Sequence, residues 1–204
     1  MKLSVFLFKS ARKVLGTLQQ MVDRCYTSLL FRGNGVVYSS FRTSGHPFVS
    51  VARTGKLVIG QHFAMNNGLQ GNPIGCSQPC CLFVDSGCEL IIGTNVGISQ
   101  TALISHCSLI IGDFVKIGGG GTCVYTTDFH SLNPEVRSTV NDMKQRKSAP
   151  VVIRDHAFIG AHCIILKGVT IGKNAIVGAG SVVTKSIPDN EIWAGNPAKF
   201  IRKI

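Results

Sequence analysis

An all-β fold, a parallel β-helix of hexapeptide repeats, follows from three features of this chain. An aliphatic residue falls at every sixth position from Ile153 to Val183: Ile153, Ile159, Ile165, Ile171, Val177 and Val183. A helix repeats near 3.6 residues and a strand at 2, so a period of six needs a coil of flat sides and corners. Second, Leu57-Val-Ile-Gly60 recurs as Leu90-Ile-Ile-Gly93 and Leu109-Ile-Ile-Gly112. Third, the chain holds 23 glycines, as corners needing positive φ require. Three sides of six residues close one triangular coil.

The elements follow in order. Residues 3–31 carry Val14, Leu15, Leu18, Met21, Val22 and Cys25 at helical spacing, with basic residues between. This segment is expected to be a helix that caps the first coil, or one that lies at a membrane interface. Residues 33–52, with Gly33, Gly35, Gly45 and Pro47, are expected to be irregular. The repeat starts at Leu57, breaks from Asn66 through Pro79, resumes at Leu90 and restarts at Leu109. A polar excursion loop runs from Thr126 to Pro150, before the strict units. The resulting division is a cap at 1–52, a β-helix at 53–188 with loop 126–150, and a tail at 189–204.

Within the strict units the columns have separate jobs. Three places after the aliphatic stand His156, His162, Gly168, Asn174 and Gly180. Such residues tolerate left-handed φ, so this column is expected at corners, which removes His156 and His162 from any ligand set. The next column (Ala157, Cys163, Ala175, Ser181) is small and expected to point inward.

Composition bounds the function. The 204 residues suit one domain, with 45% hydrophobic and 15% charged residues, as a stacked solenoid would have. The net charge of +11 favours an anionic partner such as a phosphate-bearing cofactor or anionic lipid. Nucleic acid is excluded for want of interleaved aromatics or a recognised binding motif. The eight cysteines (Cys25, Cys76, Cys80, Cys81, Cys88, Cys107, Cys123, Cys163) form no CxxC pair. They read as small buried residues in a reducing cytosol, or, for the Cys76–Cys88 cluster, as a metal site; no metal is expected. The apolar run Leu3–Phe8 is too short for a signal peptide or a membrane span. A cytoplasmic location is expected, with peripheral contact at the inner face of the membrane through the basic helix.

A β-helix has flat sides, so chemistry must come from a loop or a neighbouring copy. His130, at the start of the excursion, is the candidate general base. Asp128 is two residues away. On an extended segment it would share a face with His130 and orient the imidazole; alternatively it caps the loop turn. No GxSxG or P-loop is present. A lone histidine base suits direct attack of a hydroxyl on an activated acyl group.

Several stretches together resemble the hexapeptide-repeat acyltransferases, in the branch of maltose, galactoside and capsule or lipopolysaccharide sugar O-acetyltransferases. They are Ile159-Gly-Ala-His162, Lys167-Gly-Val-Thr-Ile-Gly172, Ile176-Val-Gly-Ala-Gly-Ser-Val-Val-Thr-Lys185, Ile187-Pro-Asp-Asn190 and Gly195-Asn-Pro-Ala-Lys199, with Thr127-Asp-Phe-His-Ser131 similar to the catalytic segment. The resemblance covers about residues 90–204. It implies a left-handed coil and a homotrimer with acetyl-CoA sites between adjacent subunits. It implies a sugar or glycan hydroxyl as acceptor and His130 as the base. By the same resemblance, the backbone at Ala161 and Ala179 meets the pantetheine arm. Thr184 and Lys185 lie near the nucleotide end, Lys199 and Arg202 near the adenosine, and Ser99 near the thioester. Lys199 stands where the branch usually has Arg, which weakens a bidentate contact. Competing readings keep the scaffold but change the chemistry: N-acetylation of an amino sugar, serine O-acetylation, zinc-dependent carbonic anhydration, or a non-enzymatic scaffold.

Overall fold

A computed structural model describes residues 3–69, 71–74 and 78–204 of the chain. It opens on a helix, α1 (Leu3–Gly33), and then winds into coils of three short strands each. The first coil holds β1 (Val37–Tyr38), β2 (Phe41–Ser44) and β3 (Phe48–Val51). The second holds β4 (Lys56–Ile59), β5 (Phe63–Asn66) and β6 (Cys81–Val84). The third holds β7 (Glu89–Ile92), β8 (Gly97–Ser99) and β9 (Ala102–Ser105). The fourth holds β10 (Ser108–Ile111), β11 (Lys116–Ile117) and β12 (Cys123–Tyr125). A one-turn helix, α2 (Pro134–Arg137), lies between this coil and the next. The fifth holds β13 (Val151–Ile153), β14 (Phe158–Ile159) and β15 (Ile164–Ile165), and the sixth β16 (Thr170–Ile171), β17 (Ile176–Val177) and β18 (Val182–Val183). Then come β19 (Glu191–Ala194) and β20 (Lys199–Lys203).

Every third strand pairs in parallel, which gives three sheets along the coil axis. The first sheet runs β1-β4-β7-β10-β13-β16, the second starts β2-β5-β8-β11-β14-β17, and the third runs β3-β6-β9-β12-β15-β18. The recurring tetrapeptides stack directly: Leu57 faces Leu90, Leu90 faces Leu109, and Ile59, Ile92, Ile111 and Ile153 follow in one column. The six aliphatics at period six are all fully buried, as are Ala157, Cys163 and Ala175 beside them. The corner column also holds: φ is 60° at His156, 58° at His162, 59° at Asn174, 78° at Gly168 and 73° at Gly180. At the same corner as His156 stand His62, Asn95, Phe114 and Asn190, all with positive φ, and the rings of Phe114 and His156 stack at 4.8 Å.

Two expectations for the N-terminal third differ from the fold. Residues 33–52 are not irregular: they form the whole first coil, paired in register with the second (Val37 with Val58, Phe41 with Phe63, Phe48 with Cys81). Polar inward residues such as Thr43 hide the pattern. The helix does cover the open end of that coil, but through Asp23, Thr27 and Phe31. Phe31 packs on Tyr38 and Phe41, and the Asp23 carboxylate accepts from the Gly45 N–H at 2.6 Å and meets His46 at 3.1 Å. Val14, Leu15, Leu18, Met21, Val22 and Cys25 are exposed instead. The opposite end of the prism is closed by Trp193, in register over Val177, and by β20 folding back antiparallel on β19.

Candidate active site

The chain leaves the coil after β12, at the edge between the third and first sheets, and returns at β13. The neck of this excursion is an antiparallel bridge between Thr127 and Ser148, whose hydroxyls lie 3.1 Å apart. The Asp128 N–H donates to the Lys147 carbonyl at 3.0 Å and the Ala149 N–H to the Thr126 carbonyl at 3.0 Å. The return arm is tied to the coil by Arg146, which donates to Asp85 at 2.7 Å; Asp85 also meets His106 Nδ1 at 2.7 Å. Phe129 packs against Tyr125 and His106. The histidine of this second imidazole–carboxylate pair has a side chain only 10% exposed. It anchors the loop and presents no base.

His130 differs on that point, with a side chain 62% exposed. Its Nδ1 lies 2.6 Å from Asp142 Oδ2. The other oxygen of Asp142 accepts from the Ser131 N–H at 2.7 Å. The bond to His130, then that from Ser131, hold the Asp142 carboxyl below the usual carboxylate range. Arg137, on α2, donates to the Ser131 carbonyl at 3.3 Å. The Asn133 side chain caps α2 by accepting from the Glu135 N–H at 2.9 Å, with Pro134 at the first helical position. The carboxylate fixes the imidazole from the Nδ1 side, and Nε2 makes no hydrogen bond to the described residues.

Asp128 is not the partner of His130. Between them Phe129 has φ of 64°, so the chain turns and the alternation of an extended segment is lost. Asp128 instead takes the Lys167 ammonium at 2.6 Å, which links the neck of the loop to the corner after β15. Its other oxygen is buried without a partner among the described residues. Asp142 was missed in the sequence because nothing in its spacing marks it. It meets His130 only through the path of the loop.

Among the described residues, the remaining candidates make no hydrogen bond or ion pair to His130. Ala161 and Ala179 sit on the edge between the second and third sheets, one coil apart. Among the described residues neither N–H takes part in a hydrogen bond. The backbones there are pressed together: a Cβ on Gly160 would come within 2.6 Å of the Ala179 nitrogen. Thr184 and Lys185 are exposed just beyond β18, and Lys199 and Arg202 are exposed on β20. Ser99 is buried and accepts from the Asn66 amide at 3.0 Å. One chain thus brings together His130, Asp142 and Ser131; Thr184 and Lys185 lie on the same edge, one coil beyond Lys167, while Ala161, Ala179, Lys199 and Arg202 lie on other sides of the prism.

Of the cysteines, Cys80 and Cys163 are buried, and burial pushes the Cys80 thiol up to about 11. Cys76 lies outside the described residues. Among the described residues no group of three histidine, cysteine or acidic side chains is placed to hold a metal ion. No helix among them is long and apolar enough to cross a membrane.

Comparison with known proteins agrees with this architecture. The family model described as the hexapeptide repeat of succinyl-transferase matches residues 150–185. The galactoside O-acetyltransferase of Escherichia coli is 35% identical over 124 residues, which are 60% of this chain and 58% of that protein. The chain spans about half the length of the curated relatives it matches. A mutant of AntD, an N-acyltransferase from Bacillus cereus in complex with dTDP-4-amino-4,6-dideoxyglucose and coenzyme A, has a TM-score of 0.60 at 25% identity. It covers 87% of this chain and 88% of that one. A hexapeptide-repeat-containing acetyltransferase from Vibrio cholerae, complexed with acetyl coenzyme A, has a TM-score of 0.50 at 21% identity over 99% and 90%. The chain therefore carries the hexapeptide repeat, and its relatives and neighbours include acetyl- and acyltransferases, two of them seen with coenzyme A or acetyl coenzyme A. That likeness implies the left-handed winding of the coil.

Proposed function

We propose that the protein is an acetyl-CoA-dependent O-acetyltransferase acting on a hydroxyl of a sugar or glycan precursor. The observation that carries this reading is the exposed His130 imidazole held at Nδ1 by Asp142. With its proton on Nδ1, facing the carboxylate, the ring offers the Nε2 lone pair to an acceptor hydroxyl. Nε2 takes the hydroxyl proton as the oxygen attacks the thioester carbonyl. The imidazolium, stabilised by Asp142, then returns the proton to the departing thiolate. No covalent enzyme intermediate is required.

The donor fits the other residues. The unused N–H groups of Ala161 and Ala179 suit the amide oxygens of a pantetheine arm. Lys185, Lys199 and Arg202 are exposed, make no ion pair among the described residues, and suit phosphates. Since Ala161, Ala179, Lys199 and Arg202 lie on other sides of the prism from the His130 loop, the working site is proposed to form between adjacent subunits of a homotrimer. Outward aliphatic residues support such packing: Val58, Ile91, Ile110 and Val152 make a ladder on the first sheet, and Ile104, Ile164 and Val182 lie on the third. Replacing His130 by Ala should abolish acetyl transfer in a mass-resolved acceptor panel while leaving CoA binding and assembly intact. Retained turnover would remove His130 from the role of base.

A second reading is favoured by one specific finding. AntD, with this fold, is an N-acyltransferase seen with an amino sugar nucleotide. The same base could take a proton from an attacking amine. The acceptor panel separates the two, because an amide product survives mild alkali and an ester does not.

A further inference from the structure

The first twenty-odd residues of α1 do nothing for the fold of the described chain, yet their sequence is strongly organised. From Leu3 to Val22 no side chain is buried. At about 1.5 Å per residue that stretch reaches about 30 Å. From Leu7 on, the apolar side chains Leu7, Val14, Leu15, Leu18, Val22 and, further on, Leu29 fall on one side of the helix, while Val5 and Phe6 of its first turn lie off that stripe. The residues that dock onto the coil are Asp23, Thr27 and Phe31. Thr27 is nine residues beyond Leu18, which at about 3.6 residues per turn is two and a half turns, so the two point in opposite directions. The helix is therefore held to the body by its polar side, and its apolar side faces away.

Charge points to the occupant of that face. Lys9, Arg12 and Lys13 lie on the side opposite the apolar stripe, with Arg24 and Arg32 nearer the body. The helix has one acidic residue, Asp23, and it is already engaged with Gly45 and His46. A bundle of several copies of this helix would gather lysines and arginines with no carboxylate along residues 3–22 to answer them. An anionic bilayer surface answers both features: acyl chains for the stripe and lipid headgroups for the bases.

We propose that α1 lies in the plane of an anionic membrane surface with Leu7, Val14, Leu15, Leu18, Val22 and Leu29 sunk into it and the β-helix held on the water side. This is independent of the acetyl-transfer reading. The test is co-sedimentation of the full chain with vesicles of phosphatidylcholine alone and with about one quarter phosphatidylglycerol. The expected result is binding to the anionic vesicles only, weakened by salt. Leu18→Glu should weaken it about tenfold or more, and the double change Lys9→Gln with Lys13→Gln should also weaken it. Helical circular dichroism and melting temperature should be unchanged, because none of these residues is buried. Three results would overturn the proposal: no binding to either vesicle, equal binding to both, or a Leu18→Glu protein that binds lipid normally. A fall in oligomer mass in the Leu18→Glu variant with unchanged lipid binding would assign the stripe to a second copy instead.

Discussion

His130 and Asp142 are twelve residues apart in the chain and 2.6 Å apart in space. That pairing makes a prediction that separates Asp142 from Asp128. Asp142→Asn should lower kcat by about a hundredfold or more, because the amide no longer fixes the tautomer with Nε2 free. On the proposed reading, KM for acetyl-CoA should stay near its original value. Asp128→Asn should act on the loop neck through Lys167, seen as a lower melting temperature with a smaller loss of kcat. The Asp142 carboxyl titrates below its unfolded value, so its contribution to holding the loop is complete above about pH 4 and fades as pH falls through the lowered folded value. The difference in melting temperature between wild type and Asp142→Asn should therefore shrink as pH is lowered from neutral toward 3. A difference that grew on acidification would contradict the assignment. His130 was legible in the sequence as a histidine on a loop. Its partner was not, because the alternation of an extended segment fails at Phe129, which has a left-handed φ and packs against Tyr125 and His106.

The strands and corners were the most legible elements. Period six gave the inward column, and the next columns gave the corners and the small inward residues, because each position of a coil meets its equivalent one turn away. A large side chain at a shared position is then a matter for three successive coils at once. Ile165→Ala, in the middle of the buried column, should cost about 2–5 kcal/mol of unfolding free energy. Gly160→Ala should cost about 1–3 kcal/mol by overpacking, since the new methyl would press on the Ala179 backbone. Chemical denaturation checks both, and a neutral Gly160→Ala would mean the coils can slide apart at that edge. The first coil escaped the sequence reading for a complementary reason. Its pairing is set by neighbours at residues 56–66 and 81–84, while its own inward positions include Thr43 and its corners carry no aliphatic signal.

At the scale of the whole molecule the chain is a prism closed at one end by a helix and at the other by a β-hairpin, with a loop hung on one edge. Outward aliphatics on the first sheet should matter only to assembly. In the proposed homotrimer, Ile110→Lys, at a position 36% exposed in the single chain, should leave the melting of the isolated fold little changed but shift sedimentation toward the monomer. An unchanged oligomer would move the interface off that sheet. The separation of His130 from Ala161, Ala179, Lys199 and Arg202 was invisible in a linear reading, because chain order says nothing of which edge a residue reaches. The most legible part was the strict repeat from Ile153 to Val183; for the helix the apolar spacing was plain, but the direction of its face was set by the docking of Asp23, Thr27 and Phe31.

The unbroken stacking of parallel coils makes the prism a ruler. Every added coil lengthens it by one strand spacing, about 4.8 Å, and nothing between the loop and the tail can stretch. Residues 153–170 are one graduation of that scale. Duplicating them would insert a coil in register, leave each local contact intact, and carry Thr184, Lys185 and the tail one step farther from His130. A protein so lengthened should fold and should still bind the nucleotide half of its donor, yet present the thioester short of the imidazole. On the proposed reading, the distance between the two halves of the chemistry is thus written as an integer number of turns.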